Sequence, residues 1–371
     1  MAVKTAQRLD LSSLSSGLFE DLVKAATSAP SGDNLQPWRF SRRGDVLLVH
    51  HDSGRDSSLY NVHGFASFVA LGAAIENVVI AGSNHGLRAE VECFSDTGSD
   101  IIAEVRFAAG GIPDPLANSI PARCVNRRAY ARRPLAPELA DALEVEAQKI
   151  SEVKLHWIQD PGQRKILGSL VMEADRLLLE NPHLHAQLFS CLRWTADEVE
   201  ITRDGLPVST LELGKLGTKG FRALSSWPRV SLLNRFGLSR IAARHSLDLI
   251  KRSSQLGLLT VPALAPTAFV KAGRAFERLW LAITSQGASL QPMTGFVFLQ
   301  LRALLGVYDG LSPSQLALLE RLRRDLGAIF SIEPGDIPAM LFRTGYGPPP
   351  SGRTVRRRAA EVFRTEPQGL P

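Results

Sequence analysis

The sequence of 371 residues lacks the short motifs that mark the common nucleotide-binding and hydrolytic sites. No GxGxxG follows a predicted strand and no GxxxxGKS/T occurs, which argues against a Rossmann dinucleotide site and a P-loop. GxSxG and HExxH are also absent, so neither a serine-hydrolase elbow nor a zinc-protease helix is predicted. The close histidines, His50 with His51 and His183 with His185, have no cysteine or carboxylate cluster at ligand spacing, and we predict no metal site.

Cysteines and uninterrupted apolar runs are scarce as well. The three cysteines are far apart and form no CxxC pair, which favours a reducing, cytoplasmic compartment over secretion. The N-terminal residues lack the apolar core of a signal peptide. The uncharged run of residues 253–270 contains Pro262 and Pro266 and falls short of the roughly 20 apolar residues of a membrane-spanning helix. We therefore expect a soluble protein.

The composition indicates a large core and an uneven distribution of charge. Hydrophobic residues make up 44% of the chain, whose length suits two domains of about 150 residues or one duplicated unit. The net charge of +6 divides into +8 for residues 213–259, +5 for 121–133, +4 for 343–371 and −11 for the remainder. Outside three basic segments the chain is therefore acidic. A functional hypothesis has to explain why the positive charge is concentrated in those segments.

Hydrophobic periodicity predicts a mixed α+β chain. The predicted helices are 18–27, 65–86, 137–147, 160–193 and 270–288, and predicted strands include 45–52, 88–94 and 153–160. Residues 65–86 are apolar on nearly every face, which predicts a helix that is buried on all sides.

An internal repeat predicts two equivalent halves. Residues 270–288 repeat the pattern of 65–86 at an offset of 201 positions, with Gly72 and Glu76 matching Gly273 and Glu277. In each half a helix and a strand precede the apolar helix and a strand follows it. A duplicated chain packs its equivalent helices across a pseudo-twofold axis, as a homodimer does. We therefore expect the halves 1–119 and 120–371 to meet through these two helices.

The strongest local signal is the segment APSGDNLQPW, residues 29–38. It offers backbone amides, a hydroxyl and two carboxamides, and it ends in a Pro-Trp pair that can pack on a flat ring. Such a turn suits the polar edge of a heteroaromatic cofactor. The alternative is an ordinary turn after a helix, held by local hydrogen bonds.

This segment resembles the APSxxNxQPW stretch of the FMN-dependent nitroreductase family. Three further segments are similar to parts of the same family: 123–139 to its Arg-rich phosphate turn, 279–296 to its central helix and flavin loop, and 337–363 to its C-terminal strand and tail. The matches fall within residues 1–135 and 270–365. They imply a nitroreductase-like α+β fold, with two pseudo-equivalent halves around a central helix pair.

The order of the motifs departs from that of ordinary family members. In those, the Arg-rich turn comes first in a short subunit, and two subunits share two FMN sites. Here the Arg-rich turn follows the 29–38 turn by about 90 residues, and each half carries one part of a site. The chain thus resembles fused, pseudo-dimeric members, which include actinobacterial flavin-binding dormancy proteins and ThiF-associated nitroreductase domains. This implies one FMN per chain.

The resemblance implies a set of cofactor-binding residues and no catalytic side chain. The first turn and backbone N–H groups of the 292–295 loop would meet the flavin ring, and the Arg-rich turn and the tail would hold the phosphate. The implied residues are Pro30, Ser31, Gly32, Asn34, Gln36, Arg123, Asn126, Arg127, Arg128, Pro292, Met293, Thr294, Gly295, Arg353 and Arg356. For the tail, a solvated charged helix at 356–363 is the alternative.

Residues 190–260 form a basic insertion relative to ordinary family members. The related fused proteins carry a comparable segment that covers the flavin, which implies a cationic lid. An exposed helical face is the simpler alternative, and contact of the amphipathic stretch 230–252 with a membrane surface ranks below it. Interspersed Leu, Ile and Val argue against nucleic acid as a partner.

The leading functional hypothesis is an FMN-dependent oxidoreductase. It would pass hydride from NAD(P)H through the flavin to a small organic acceptor by ping-pong chemistry. The alternative is a protein that sequesters or stores FMN beneath a closed lid, and a charge-driven binding module comes third. The sequence leaves open whether the chain is a monomer or forms a further homodimer.

Overall fold

The structure is a computed structural model that describes residues 15–94, 99–131, 133–158 and 160–365. The first elements are α1 (Ser16–Thr27), β1 (Trp38–Arg43), β2 (Val46–His51), α2 (Phe65–Asn84), β3 (Leu87–Cys93) and β4 (Ile101–Ala109). They are followed by α3 (Pro137–Gln148), β5 (Lys154–Trp157), α4 (Pro161–Glu180), α5 (Pro182–Ser190), β6 (Leu192–Arg193), α6 (Ala196–Thr202), β7 (Leu206–Pro207), α7 (Gly214–Ala223), α8 (Trp227–Asn234), α9 (Leu238–Lys251) and β8 (Gln255–Val261). The last are α10 (Pro266–Ser285), β9 (Ser289–Pro292), α11 (Thr294–Leu304), α12 (Pro313–Phe330), β10 (Ile337–Gly345), α13 (Ala359–Val362) and β11 (Phe363–Thr365).

The two larger sheets repeat one strand order. The first runs β1-β2-β4-β3, with β11 added parallel to β1 at its edge, and the second runs β5-β8-β10-β9. Neighbouring strands within these two sets of four are antiparallel. Along the chain, α1-β1-β2-α2-β3-β4 corresponds to α3-β5-β8-α10-β9-β10. The predicted α+β fold with two equivalent halves is confirmed.

Two segments interrupt the second half. α4 to α9, with the small β6–β7 pair, lie between β5 and β8, and α11 and α12 lie between β9 and β10. The first of these segments begins at residue 161, earlier than the predicted insertion at 190, and α4 packs along α9 within it. The boundary at 119/120 and the role of 190–260 as a lid stay predictions.

The helical region predicted at 160–193 divides into two helices at Asn181. The side-chain oxygen of Asn181 accepts hydrogen bonds from the backbone N–H groups of His183 and Leu184, and Pro182 occupies the first position of α5. Because a proline disfavours helical dihedral angles in the residue before it, α4 ends at Glu180. The break turns α5 away from the line of α4.

α2 and α10 approach each other closely at a pair of glycines. A Cβ added at Gly72 would lie 2.0 Å from the carbonyl oxygen of Val270, and one added at Gly273 would lie 2.0 Å from that of Val69. Gly72 and Gly273 are 201 residues apart, and so are Val69 and Val270. Contacts that exchange partners in this way are typical of a twofold interface. The predicted contact between the two helices is confirmed.

α2 is buried on nearly all sides, as its apolar sequence predicts. Sixteen of its 20 residues are buried, and the surrounding hydrophobic cluster includes Trp38 from the first half and Phe269 and Trp280 from the second. Among the described residues, Val62–Asn84 is long and apolar enough to cross a membrane, but 78% of its apolar window is buried inside the protein. α2 is therefore a core helix that packs against both halves of the chain.

Charged residues on the same helix pair follow the repeat. Glu76 forms an ion pair with Arg278, with 2.7 Å between Oε1 and Nη1, and the equivalent positions Glu277 and Asn77 are also neighbours. Oε1 of Glu277 lies 3.2 Å from Nε of Arg123. Burial raises the pKa of Glu277, and the charge of Arg123 opposes that shift. The acid of the second half thus reaches into the Arg-rich turn.

The close approach of the helices can be tested at Gly72. Replacement by alanine places a methyl group against a backbone carbonyl that cannot rotate away, so Gly72→Ala should lower the free energy of unfolding by about 1–3 kcal/mol. Gly82→Ala in the same helix is the control, because its Cβ would meet the Phe107 ring at 3.4 Å, an ordinary contact. Chemical denaturation measures both variants. A Gly72→Ala protein as stable as the parent would contradict the packing.

Candidate functional site

A cavity of about 600 Å³ lies against the α2–α10 pair. Both halves line it, with Val69 and Ala70 on α2 and Phe276 and Trp280 on α10. The turn before β1, the Arg-rich turn, the loop after β9 and the C-terminal tail complete the wall, together with parts of α4 and α9. The volume falls in the range of about 300–1,000 Å³ that is typical of small-molecule and cofactor sites.

Most of the residues singled out from the sequence line this cavity. Those that do are Pro30, Ser31, Gly32, Asn34, Arg123, Arg127, Pro292, Met293, Thr294, Gly295, Arg353 and Arg356. Gln36, Asn126 and Arg128 are outside the lining and hold neighbouring segments in position. The fold therefore brings four distant segments of the chain to one cavity, as the motifs predict.

The turn before β1 has an unusual backbone. Asp33, Asn34 and Gln36 adopt left-handed φ angles of 47°, 59° and 54°, a conformation that costs energy for residues other than glycine. The hydroxyl of Ser31 accepts a hydrogen bond of 3.0 Å from the backbone N–H of Gln36, and this bond closes the turn. The turn therefore has the local hydrogen bond that the alternative interpretation predicts, and it also lines the cavity.

The carboxamides of Asn34 and Gln36 bind protein carbonyls. Nδ2 of Asn34 donates to the carbonyl oxygens of Gly205, at 3.1 Å, and Val355, at 3.0 Å. Nε2 of Gln36 donates to Arg203 O at 2.7 Å, and its Oε1 accepts from the N–H of Arg357 at 2.8 Å. In this structure the two side chains join the insertion and the tail to the first turn. The sequence predicted that both side chains face a cofactor ring, and it did not predict that they connect these segments.

Three arginines at the cavity have no carboxylate partner among the described residues: Arg127, Arg353 and Arg356. Arg127 donates only to Thr210 O, at 3.3 Å, and Arg353 donates to the carbonyls of Pro121 and Arg123. Burial lowers the pKa of Arg127, and burial together with the neighbouring Arg123 lowers that of Arg356 to about 9. Asp33 and Glu277 act on Arg127 and Arg356 only from beyond ion-pair distance. Cations gathered without direct ion pairs in this way favour a site for an anion.

Arg123 differs from these three because its charge is already offset. It is 5% exposed, its Nε lies beside Glu277, and its Nη2 donates to Ser28 O at 2.6 Å. Its guanidinium also lies 4.4 Å from the centre of the Trp280 ring, at cation–π distance. Arg123 therefore anchors the Arg-rich turn to the helix pair and presents little free charge to the cavity.

Arg128 and Asn126 also fasten the turn in place. Nε of Arg128 lies 2.9 Å from Oε2 of Glu212 in the insertion, and its Nη2 donates to the hydroxyl of Ser351 in the tail. Nδ2 of Asn126 donates to Ser289 Oγ and Pro348 O, at 2.9 and 2.8 Å. Both residues were expected at the phosphate. In this structure they connect the turn, the insertion and the tail, and their contact with a phosphate stays a prediction.

The loop after β9 supplies unpaired backbone donors. α11 begins at Thr294, and Met293 before it gives no side-chain cap. The first N–H groups of a helix have no partner within the helix, so those of Thr294 and Gly295 are available at the cavity wall. A Cβ on Gly295 would approach the Tyr60 ring at 3.3 Å, so the loop and Tyr60 are closely packed.

The tail reaches the cavity because its end joins the first sheet. β11 pairs with β1 in parallel register, with Phe363 opposite Phe40. Only Ala359–Val362 is helical in the stretch 356–363, so the alternative of a solvated charged helix accounts for little of it. Nη1 of Arg356 donates to Oδ1 of Asn34 at 2.8 Å, which fixes the tail against the first turn.

The cavity also has an acidic side, which was not among the predicted site residues. Asp33, Asp56 and Asp175 all line it, and burial raises the pKa of each carboxyl, that of Asp175 to about 6. Asp175 on α4 accepts a hydrogen bond from the hydroxyl of Ser246 on α9. A raised pKa means that the carboxyl holds its proton up to a higher pH. Asp33 belongs to the 29–38 turn and Asp56 to the loop after β2, whereas no motif points to Asp175, which the packing of α4 against α9 brings to the site.

Comparison with known proteins gives a distant likeness. No family model matches the chain. An uncharacterized protein, MT1398 of Mycobacterium tuberculosis (strain CDC 1551 / Oshkosh), is 27% identical over 357 residues, which are 93% of this chain and 48% of that protein. The chain thus spans about half the length of this curated relative.

Solved structures that resemble the fold include two nitroreductases called NfnB. The FMN-dependent enzyme from Mycobacterium smegmatis, in complex with NADPH, is 14% identical with a TM-score of 0.37, over 67% of this chain and 97% of the other. The FMN- and NADPH-dependent enzyme from sphigopyxis sp. strain HMH is 13% identical with a TM-score of 0.38, over 69% and 100%. Both are nitroreductases, the family that the sequence motifs resemble. Likeness at this level leaves the function to be argued from the cavity itself.

Proposed function

We propose that this chain binds FMN in the cavity and acts as an oxidoreductase that uses NAD(P)H to reduce a small organic acceptor. The observation that carries the proposal is the meeting of Arg127, Arg353 and Arg356, all without carboxylate partners, with a turn and a helix N-terminus that offer backbone donors. When bound, FMN supplies hydride and electron transfer between a nicotinamide and an acceptor.

The arginine side of the cavity fits the phosphate of FMN. A phosphate monoester is dianionic near neutral pH, and guanidinium groups bind its oxygens through charge-assisted, bidentate hydrogen bonds. Burial lowers the pKa of Arg127 and of Arg356, and among the described residues neither forms a direct ion pair with a carboxylate. A bound phosphate would provide the missing counter-charge and would pair both groups.

The remaining wall fits a flat, polar-edged ring. Val69, Ala70 and Phe276 offer an apolar surface, and the N–H groups at the start of α11 offer donors to an electron-rich ring edge. Asp175, whose pKa burial raises to about 6, keeps its proton to a higher pH than an ordinary aspartate and stands in the same cavity. These residues bind, orient and supply protons, and no side-chain nucleophile is required.

A storage protein for FMN is the second candidate, because residues of the insertion line the cavity and are bonded to the first half. Asn34 and Gln36 hold residues 203–205 of the insertion, and Nη2 of Arg55 lies 2.7 Å from Oδ2 of the neighbouring Asp204. A cover that stays closed would keep nicotinamide and acceptor away from the flavin.

Anaerobic reduction separates the two candidates. The chain loaded with FMN and mixed with NADPH or NADH should rapidly lose the visible absorbance of oxidised flavin, and addition of a nitroaromatic or quinone acceptor should restore it. Stopped-flow spectroscopy measures both steps. Unchanged absorbance with both nucleotides would overturn the oxidoreductase proposal in favour of storage.

The phosphate assignment can be tested at Arg127, which has fewer side-chain hydrogen bonds among the described residues than Arg353 or Arg356. Arg127→Ala should weaken FMN binding by about 10–100-fold, the value of a charge-assisted hydrogen bond, and should leave riboflavin binding almost unchanged because riboflavin has no phosphate. Arg128→Ala is the control, since Arg128 is engaged by Glu212 and Ser351. Fluorescence titration measures the affinities of the parent and of both variants for FMN and for riboflavin. Equal losses for FMN and riboflavin would show that the phosphate lies elsewhere.

A further inference from the structure

The outer surface of α7, α8 and α9 carries a dense set of unpaired cations. Nine basic residues between 213 and 259 are all exposed: Lys215, Lys219, Arg222, Arg229, Arg235, Arg240, Arg244, Lys251 and Arg252. Arg222 lies over the Trp194 ring, and within the described part of the chain the other eight have no side-chain hydrogen bond or ion pair. Asp248 is the only acid in the same stretch. The fold itself leaves this charge without a partner.

Large apolar side chains of the same helices, and of the turn between α8 and α9, are exposed as well. Leu216 is 86% exposed, Phe236 80%, Ile241 63%, Leu232 55% and Leu233 41%. Four of them fall within residues 232–241, where Arg235 and Arg240 alternate with them. α7 has no buried residue at all. Exposed apolar groups concentrated in this way mark an interaction surface rather than the scattered exposure of an ordinary surface.

α9 shows that the exposure belongs to a firmly held helix. Its inner side is packed, with Ala243 and Ile250 buried and Ser246 hydrogen-bonded to Asp175 at the cavity. Its outer side presents Ile241 and Arg244 to solvent. The helix is therefore fixed by its inner face, and its outer face is free to meet a partner.

We propose that this surface, formed by α7, α8 and α9, docks onto an anionic lipid bilayer. Helices that lie in the plane of a membrane combine Lys and Arg, which meet anionic headgroups, with Leu, Ile and Phe, which enter the boundary of the acyl chains. The residues of 215–252 supply both, in helices that are already folded. The sequence alone ranks membrane contact below an ordinary exposed face, and the exposure of Phe236 and Ile241 reverses that order.

Two other partners fit this surface less well. A nucleic acid would pair with the cations but offers no apolar region to cover Leu232, Leu233 and Phe236. A second copy of the chain could cover the apolar residues, but a symmetric contact would place two sets of exposed cations against each other. An anionic bilayer satisfies the charges and the apolar side chains together.

Vesicle sedimentation tests the proposal with the full chain. Vesicles of phosphatidylcholine and phosphatidylglycerol should bind the chain at least about tenfold more tightly than phosphatidylcholine alone. The variant Leu232→Ser/Phe236→Ser and the variant Arg235→Glu/Arg240→Glu should each weaken this binding by about tenfold or more. Ile112→Ser, at a position that is 86% exposed on another surface, and Arg88→Glu, an exposed arginine of β3, are the matched controls and should bind as the parent does.

The outcomes separate the three partners. Loss of vesicle binding in both insertion variants, with far-ultraviolet circular dichroism and FMN affinity retained, supports bilayer docking. The proposal is overturned if the parent ignores anionic vesicles or if Leu232→Ser/Phe236→Ser binds them fully. It is also overturned if a DNA duplex binds more tightly than the vesicles, or if Phe236 proves necessary for dimerisation in analytical ultracentrifugation.

Discussion

The close contact of α2 with α10 is the constraint on which the rest of the structure depends. Gly72 and Gly273 allow the two backbones to meet, and each is opposed by a carbonyl of the other helix. Because the contact is reciprocal, it sets the two halves in a pseudo-twofold arrangement inside one chain. The cavity lies against this pair, so its walls come from both halves and neither half could form it alone.

The second half has diverged so that the repeat yields one elaborate site. Its long insertion supplies Asp175 and Ser246 to the cavity, and its tail crosses to pair with β1 and brings Arg356 to the first turn. Buried cations without acidic partners destabilise a fold unless a ligand compensates them. The burial of Arg127 and Arg356 is best explained by an anionic ligand that binds between them in the functional protein.

Sequence reasoning reached the main elements and most of the cavity lining. The apolar helix 65–86 could be predicted as buried because it has no polar face, and the repeat at 201 positions predicted its partner. The roles of Asn34 and Gln36 could not, since their partners lie roughly 170 and 320 residues away and are backbone carbonyls and amides that carry no sequence signal. Asp175 was missed for a related reason: only the packing of α4 against α9 brings it to the site.

The central claim is that two halves together form a single FMN site, and the stoichiometry of binding tests it most directly. Isothermal titration of the flavin-free chain with FMN should give one FMN per chain. Two FMN per chain would show that each half has kept a complete site. No binding at all would contradict the assignment of the cavity as an FMN site.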